Sequence, residues 1–230
     1  MSIFNECQMM GLQFGITNVI QNLVSAKDSD PTKPPQLTIG QEIVSSIGGG
    51  WISAYFSSPV ELVMIQQQRF GKSVFSTAGH IVNTFGFNGK GLMRGLVSTA
   101  LRDSIYVSGM LVVTPRVQSY LESPDSFLAS DGKGLSAVAA SFYASMIGGI
   151  AAAIPSHPFD VAKTCMQGDI EQQQYTTLTR SLTTLAKDSE GGLRRLYRGC
   201  VMRTINITAT VYIANECRIR LSPHLAKLNI

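Results

Sequence analysis

The sequence predicts an all-α membrane protein, a bundle of long kinked transmembrane helices joined by short surface helices. Three observations carry this. First, long stretches hold no charge: residues 7–26, 43–60 and 134–159. The last is long enough to cross a bilayer. Second, only 15% of the 230 residues are charged, and the mean hydropathy is a modest +0.14. Soluble domains carry about 25% charged residues, so this balance fits helices with lipid on one side and a watery cavity on the other. Third, one pattern occurs twice. Pro59-Val-Glu61-Leu-Val-Met64-Ile-Gln-Gln-Gln68 returns ninety-nine positions later as Pro158-Phe-Asp160-Val-Ala-Lys163-Thr-Cys-Met-Gln167. Proline inside a helix removes a hydrogen bond and kinks the axis, and a fixed repeat period marks a duplicated unit.

The elements follow in order. Uncharged residues from Cys7 to about Val24 predict a helix, and residues 27–38, with Pro31, Pro34 and Pro35 among charges, a loop. A long helix is expected from Ile39 to Arg69, bent near Pro59, with Gly48-Gly49-Gly50 inside it. Small residues let membrane helices approach closely, and helix packing is the reading preferred for these glycines. Val74, Ala78, Ile81 and Phe85 fall at helical spacing, which predicts a short amphipathic helix over 73–86. A long helix is expected over 92–121, broken in polarity by Arg102 and Asp103. The uncharged run 134–159, a short helix over 176–189 and a last long helix over 196–221 complete the chain.

The repeated motif, Pro-x-Asp/Glu-x-x-Lys/Arg-x-x-x-Gln, resembles the odd-helix signature of the mitochondrial carrier family. The second copy matches at proline, acid, base and glutamine; the first has Met64 in place of the base. At the same offset Gly49 aligns with Gly148, Gly50 with Gly149, Ala54 with Ala153 and Ser57 with Ser156. Met93-Arg94-Gly95 aligns with Tyr197-Arg198-Gly199, where the family has an aromatic-basic-Gly step opening each even helix. The resemblance implies three repeats of about one hundred residues, each with two membrane helices and a short matrix helix. It divides this chain into a remnant of repeat one (1–26, its second helix), a loop (27–38), repeat two (39–122) and repeat three (133–222). About five of the usual six spans are then expected, with the first odd helix missing.

The resemblance also implies roles. The family's central substrate contact on an even helix lies eight residues after the Arg-Gly step, at Arg102 and Asn206 here. The equivalent on the first helix falls near Asn5, with Met9 and Gln13 one and two turns on. An Arg followed by an acid at this contact, as in Arg102-Asp103, is associated with amino-acid-like substrates. Guanidinium holds a carboxylate bidentately, and the neighbouring Asp103 can hold an ammonium, so a zwitterion or a carnitine ester satisfies both. The alternative is an internal ion pair. Adjacent residues point about a hundred degrees apart on a helix, so Arg102 and Asp103 are expected to pair poorly with each other. Asn206 can equally bridge helices.

Glu61, Asp160 and Lys163 are expected to form the matrix gate, with Glu61 and Lys163 as the natural pair and Gln68 and Gln167 bracing it from below. By the family's pairing Asp160 needs a base from repeat one, so at most one of three bridges is expected. Interface charge capping kinked helices is the alternative. The far ends of the even helices, Thr17-Asn18, Thr114-Pro115 and Arg218-Ile219, lack the family's cytosolic gate pattern, and Glu216 with Arg220 reads as an i,i+4 pair. Arg94, Gly95, Arg198 and Gly199 open helices whose first amides are unpaired, where anions bind. By resemblance cardiolipin phosphate is the candidate; a plain interfacial arginine is the alternative.

Other classes find no support. The net charge is +4 without a basic block, so no nucleic acid partner is expected. Cys7, Cys165, Cys200 and Cys217 lack metal or disulfide spacing, and His80, His157 and His224 are far apart. No metal, no cofactor and no enzymatic chemistry are expected. No secretory signal or Arg-rich transit peptide opens the chain. The expectation is alternating-access exchange of a small carboxylate-bearing metabolite across the mitochondrial inner membrane, amino-acid-like or carnitine-like substrates ahead of di- or tricarboxylates, by a monomer if the chain is complete. A truncated, non-transporting membrane protein or assembly partner is the reading from a different class.

Overall fold

A computed structural model describes residues 11, 13, 15–24, 37–71, 73–127, 134–187 and 192–227, with side chains as far as 217. Asn5, Met9, Cys7 and most of the 27–38 loop lie outside the described residues, as do the side chains of Arg218, Arg220, Ser222 and His224. The described residues are helical throughout their regular structure. The order is α1 (residues 15–24), α2 (Ile39–Phe70), α3 (Val74–Phe85), α4 (Leu96–Ser108), a π-helical turn (Gly109–Val113), α5 (Thr114–Glu122), α6 (Ala137–Gly168), α7 (Leu178–Lys187), α8 (Leu193–Leu196) and α9 (Cys200–Lys227).

Local chemistry sets the boundaries. At the start of α2, Thr38 and Gln41 form a reciprocal capping box, and Gly71 ends the helix at φ 66°. Two expected helices start later than their polarity suggested. Residues 92–95 are turns because Gly95 sits at φ 82°, and α9 begins after Gly199 at φ 83°. Helical backbone cannot continue through positive φ, which glycine adopts without steric cost. The 92–121 expectation also differs inside: one π-helical turn interrupts the long helix just before Pro115, which has no amide to donate. Pro59 and Pro158 lie inside unbroken helix. Each removes one amide from the ladder, so Tyr55 and Ile154 lose their ordinary backbone donors.

The long helices are inside-out relative to a soluble core. On α2 the buried face is Ser45, Ser46, Gly49, Gly50, Ser53, Ala54, Ser57 and Ser58, while Val44, Ile47, Trp51, Tyr55 and Phe56 are exposed. On the first half of α6 the buried positions include Ala140, Ser141, Ala144, Ser145, Ala152 and Ala153, with Phe142, Tyr143, Met146, Ile150 and Ile154 exposed. Small residues inward and bulky apolar residues outward is how helices pack in lipid, where apolar surface has no water to escape. Two stretches among the described residues, Leu96–Glu122 and Ala137–Gly168, are long and apolar enough to cross a membrane by length and composition.

The chain divides into two compact units. The first comprises residues up to Ile105 and Ser156–Arg198. Here a side chain at Gly49 would collide with Thr17 and one at Gly50 with the Ser104 backbone. Two apolar clusters sit at one end of its long helices. Leu62, Val63, Ile81 and Ile170 pack with Ala78, Phe85 and Leu92; Ala162, Leu185 and Leu196 pack with Leu178 and Leu182. The second unit comprises Tyr106–Pro155 and Gly199 onward. In it Gly148 abuts Thr114 and Gly149 abuts Thr208. Asn215 donates to Gln118 Oε1 at 2.8 Å and Ser141 Oγ at 3.0 Å, and Phe142 meets Tyr212 edge-on.

Candidate functional site

Five charged side chains of the first unit form one cluster, centred on the Arg102 guanidinium. Arg102 on α4 reaches Asp103 through Nε at 2.7 Å, Asp160 on α6 through Nη1 at 3.3 Å, and Glu61 on α2 through Nη2 at 3.1 Å. Lys163, one turn beyond Asp160, pairs with the other Glu61 oxygen. Lys163 and Asp103 are almost fully buried; Arg102, Glu61 and Asp160 keep partial access. Glu61 and Asp160 each lie two residues after an in-helix proline, so the repeated motif delivers both acids to the same place.

Two expectations are corrected here. Arg102 and Asp103 do pair. Adjacency on a helix turns the Cα–Cβ bonds apart, but the long arginine stem folds back and brings Nε to Oδ1. Asp160 is also ion-paired, with Arg102 as its base: the arginine fork presents separate Nη donors and serves Asp160 and Glu61 together. The Asp103 carboxylate is only half used. Its Oδ2 is buried with no hydrogen-bond partner among the described residues.

A second set of contacts closes the C-terminal end of α6. The last four carbonyls of a helix lack intrahelical partners, and here each finds a donor. Cys165 receives the Asp169 amide, Met166 receives Arg94 Nε at 2.5 Å, Gln167 receives Gln66 Nε2 at 2.5 Å and Gly168 receives Arg69 Nη1 at 2.5 Å. Arg94 also donates to the Tyr175 carbonyl at 2.5 Å and is 1% exposed. Burial lowers its pKa and the Asp169 carboxylate opposes this. Asp169 itself accepts from the amides of Gln173, Gln174 and Tyr175. Burial pushes its pKa up, but those amides and Arg94 outweigh it and hold it below the usual carboxylate value.

This end differs from the expected brace. Gln167 is buried and donates to the Ser58 and Arg94 carbonyls at 3.4 and 3.2 Å, whereas Gln68 is exposed. The buried glutamine of α2 is Gln66. Ser58, Leu62 and Gln66 step by four along the buried face, so helical spacing from the serine face was the signal that could have found it. Arg94 likewise faces inward onto α6, not outward to a lipid phosphate, while Arg198 is exposed. The two Arg-Gly steps nonetheless share backbone form: Gly95 and Gly199 have matching positive φ, and their carbonyls accept from Thr99 and Arg203. Gln13 is buried on the first helix and Asn206 is exposed on α9.

Comparisons with known proteins agree with this geometry. A family model described as "Mitochondrial carrier protein" matches residues 135–214. The chain is 24% identical over 231 residues to mitochondrial substrate carrier family protein L of Dictyostelium discoideum, covering 97% of this chain and 73% of the relative. It is 27% identical over 187 residues to a mitochondrial glycine transporter of Ovis aries, covering 79% and 56%. It is 30% identical over 145 residues to a mitochondrial 2-oxoglutarate/malate carrier protein of Caenorhabditis elegans, covering 59% and 44%. The chain thus spans about half the length of the last two relatives. The duplicated Pro-x-acid helices, the inside-out burial and these matches together support membership of the mitochondrial carrier family.

Proposed function

We propose that this protein exchanges a small carboxylate-bearing metabolite, amino-acid-like in its charges, across the mitochondrial inner membrane by alternating access. One observation carries the substrate class: Arg102 and Asp103 are adjacent, and Asp103 Oδ2 is a buried acceptor without a hydrogen-bond partner among the described residues. A substrate carboxylate suits the guanidinium and a substrate ammonium suits the open carboxylate oxygen. Glu61, Asp160 and Lys163 form the gate beside this contact, Gln66 and Gln167 brace it, and helix bends at Pro59 and Pro158 let it open. Gln13 on the first helix and Asn206 on α9 are the further candidate contacts. Lipid phosphate, cardiolipin above all, meets the exposed Arg198-Gly199 step. The exchange needs no metal or cofactor.

A di- or tricarboxylate substrate is the second reading, favoured by the 2-oxoglutarate/malate carrier among the relatives. Reconstitution into liposomes decides. Glycine exchange that Arg102→Ala abolishes, with the helix content retained, supports the first reading; 2-oxoglutarate exchange without glycine exchange supports the second. A correctly inserted protein that carries neither would point to a membrane role other than transport.

A further inference from the structure

The second unit holds an uncharged tie of its own. Along α9 the buried side chains among the described residues are Ile207, Val211 and Asn215, four apart on one face. The third position of this inward stripe is thus an amide. Asn215 Nδ2 donates to Gln118 Oε1 on α5 at 2.8 Å and to Ser141 Oγ on α6 at 3.0 Å. Gln118 is oriented for this: its Nε2 donates to Glu122 Oε1, one turn on, at 2.9 Å, which leaves Oε1 to face α9. Ser141 is fully buried. α5 and α6 are already joined to each other near this end, where the Leu135 amide donates to the Leu121 carbonyl at 2.9 Å. Asn215 therefore ties the late part of α9 to a closed α5–α6 pair. Between helices in lipid, where apolar surface gives little reason to associate, such polar side chains act as glue.

Two other contacts between α9 and α6 do not involve this amide. Gly149 abuts Thr208, two turns before Asn215, and the half-exposed Phe142 ring meets Tyr212 edge-on. Resting on the transport reading above, we propose that Asn215 is the latch of the second closure that alternating access requires, the one that alternates with the charged gate. Breaking the Asn215 node lets the late part of α9 swing from the α5–α6 pair, with the Thr208 and Tyr212 contacts as its hinge. The node re-forms when the charged gate opens. A buried Asn with a packing role only fixes helix register. A latch also sets how often the carrier opens without substrate.

The test uses the full-length protein in liposomes loaded with labelled glycine or 2-oxoglutarate. Ser141→Ala and Gln118→Met each remove one acceptor and leave every other Asn215 contact in place. Efflux without external counter-substrate should rise about three-fold in each of them, and about ten-fold in Asn215→Leu. KM should not change, because no substrate contact is touched. Wild-type efflux in all three variants overturns the proposal. Hydrogen exchange in lipid nanodiscs, without substrate, is the second measurement. Amides of residues 209–217 should exchange about ten-fold faster in Asn215→Leu, with residues 158–168 at the wild-type rate. No rise overturns the proposal, and so does a rise spread over all the long helices, which would assign Asn215 to folding. Wild type that carries neither probe would count against the transport reading separately, and the exchange rates alone then decide the latch.

Discussion

Arg94 donates through Nε to the carbonyl of Met166, seventy-two residues away in sequence, and through Nη2 to that of Tyr175. One buried side chain thus holds the end of α6 and the segment that leads to α7. Replacing it by alanine leaves two carbonyls without donors and removes a cation from the negative end of a helix dipole. Arg94→Ala should cost about 2–4 kcal/mol, seen as a lowered melting temperature in detergent. Arg94→Lys should recover only part, because a point charge cannot span both acceptors.

The glutamines at the end of α2 should separate cleanly. Gln66 is buried against Gln167 and Gly168, while Gln68 is exposed. Gln66→Ala should lose about 1–2 kcal/mol from an unsatisfied helix end. Gln68→Ala should stay within about 0.5 kcal/mol. Equal effects in the same melt would mean that the α2–α6 contact is arranged differently.

Asp169 gives a pH dependence. Its carboxylate, accepting three backbone amides, has a pKa below its unfolded value. A depressed acid contributes stability that is complete above the unfolded pKa, about 4, and lost as pH falls through the folded pKa. Asp169→Asn should therefore melt below wild type near neutral pH, and the gap should close as the pH is lowered past that window. A gap that persists in acid would assign the loss to packing.

Asp103 tests the charge logic of the contact. Asp103→Asn keeps the shape and an acceptor but removes the charge that an ammonium would meet. Glycine exchange should fall at least about ten-fold, as expected for loss of a charge-assisted hydrogen bond, whereas a probe without an amine should lose far less. Equal losses for both probes would reduce Asp103 to positioning Arg102.

Glycines offer a packing test. A Cβ at Gly50 would meet the Ser104 backbone at 2.5 Å, but one at Gly40 meets nothing within 4 Å. Gly50→Ala should destabilise by about 1–3 kcal/mol through overpacking. Gly40→Ala, in the first turn of α2, should gain up to about 1 kcal/mol from helix propensity.

Much of the fold was legible because charge and proline are coarse signals that survive without coordinates. The uncharged runs located α2 and α6, and apolar spacing located α3. The motif offset paired Glu61 with Asp160 by position and picked out Lys163. What stayed hidden was decided by side-chain reach. Arg102 serves Asp103, Asp160 and Glu61 only because a long stem and a planar fork span several ångströms, which a residue-by-residue register cannot show. The exchange of Gln68 for Gln66 is similar: the motif counts from the proline, but burial follows the helical face. Helix starts at Leu96 and Cys200 were misplaced by a few residues because polarity does not reveal positive φ at Gly95 and Gly199.

The outward array of Val44, Ile47, Trp51, Tyr55 and Phe56 on α2, matched by Phe142, Tyr143, Met146 and Ile150 on α6, has a practical side. In bulk water these faces would seek each other on neighbouring molecules, since burying them there is strongly favourable. Purified protein stripped of amphiphile should therefore collect as large assemblies while keeping its helix signal. The inward serine and glycine faces offer no comparable apolar surface, so the tendency to associate belongs to the outward faces.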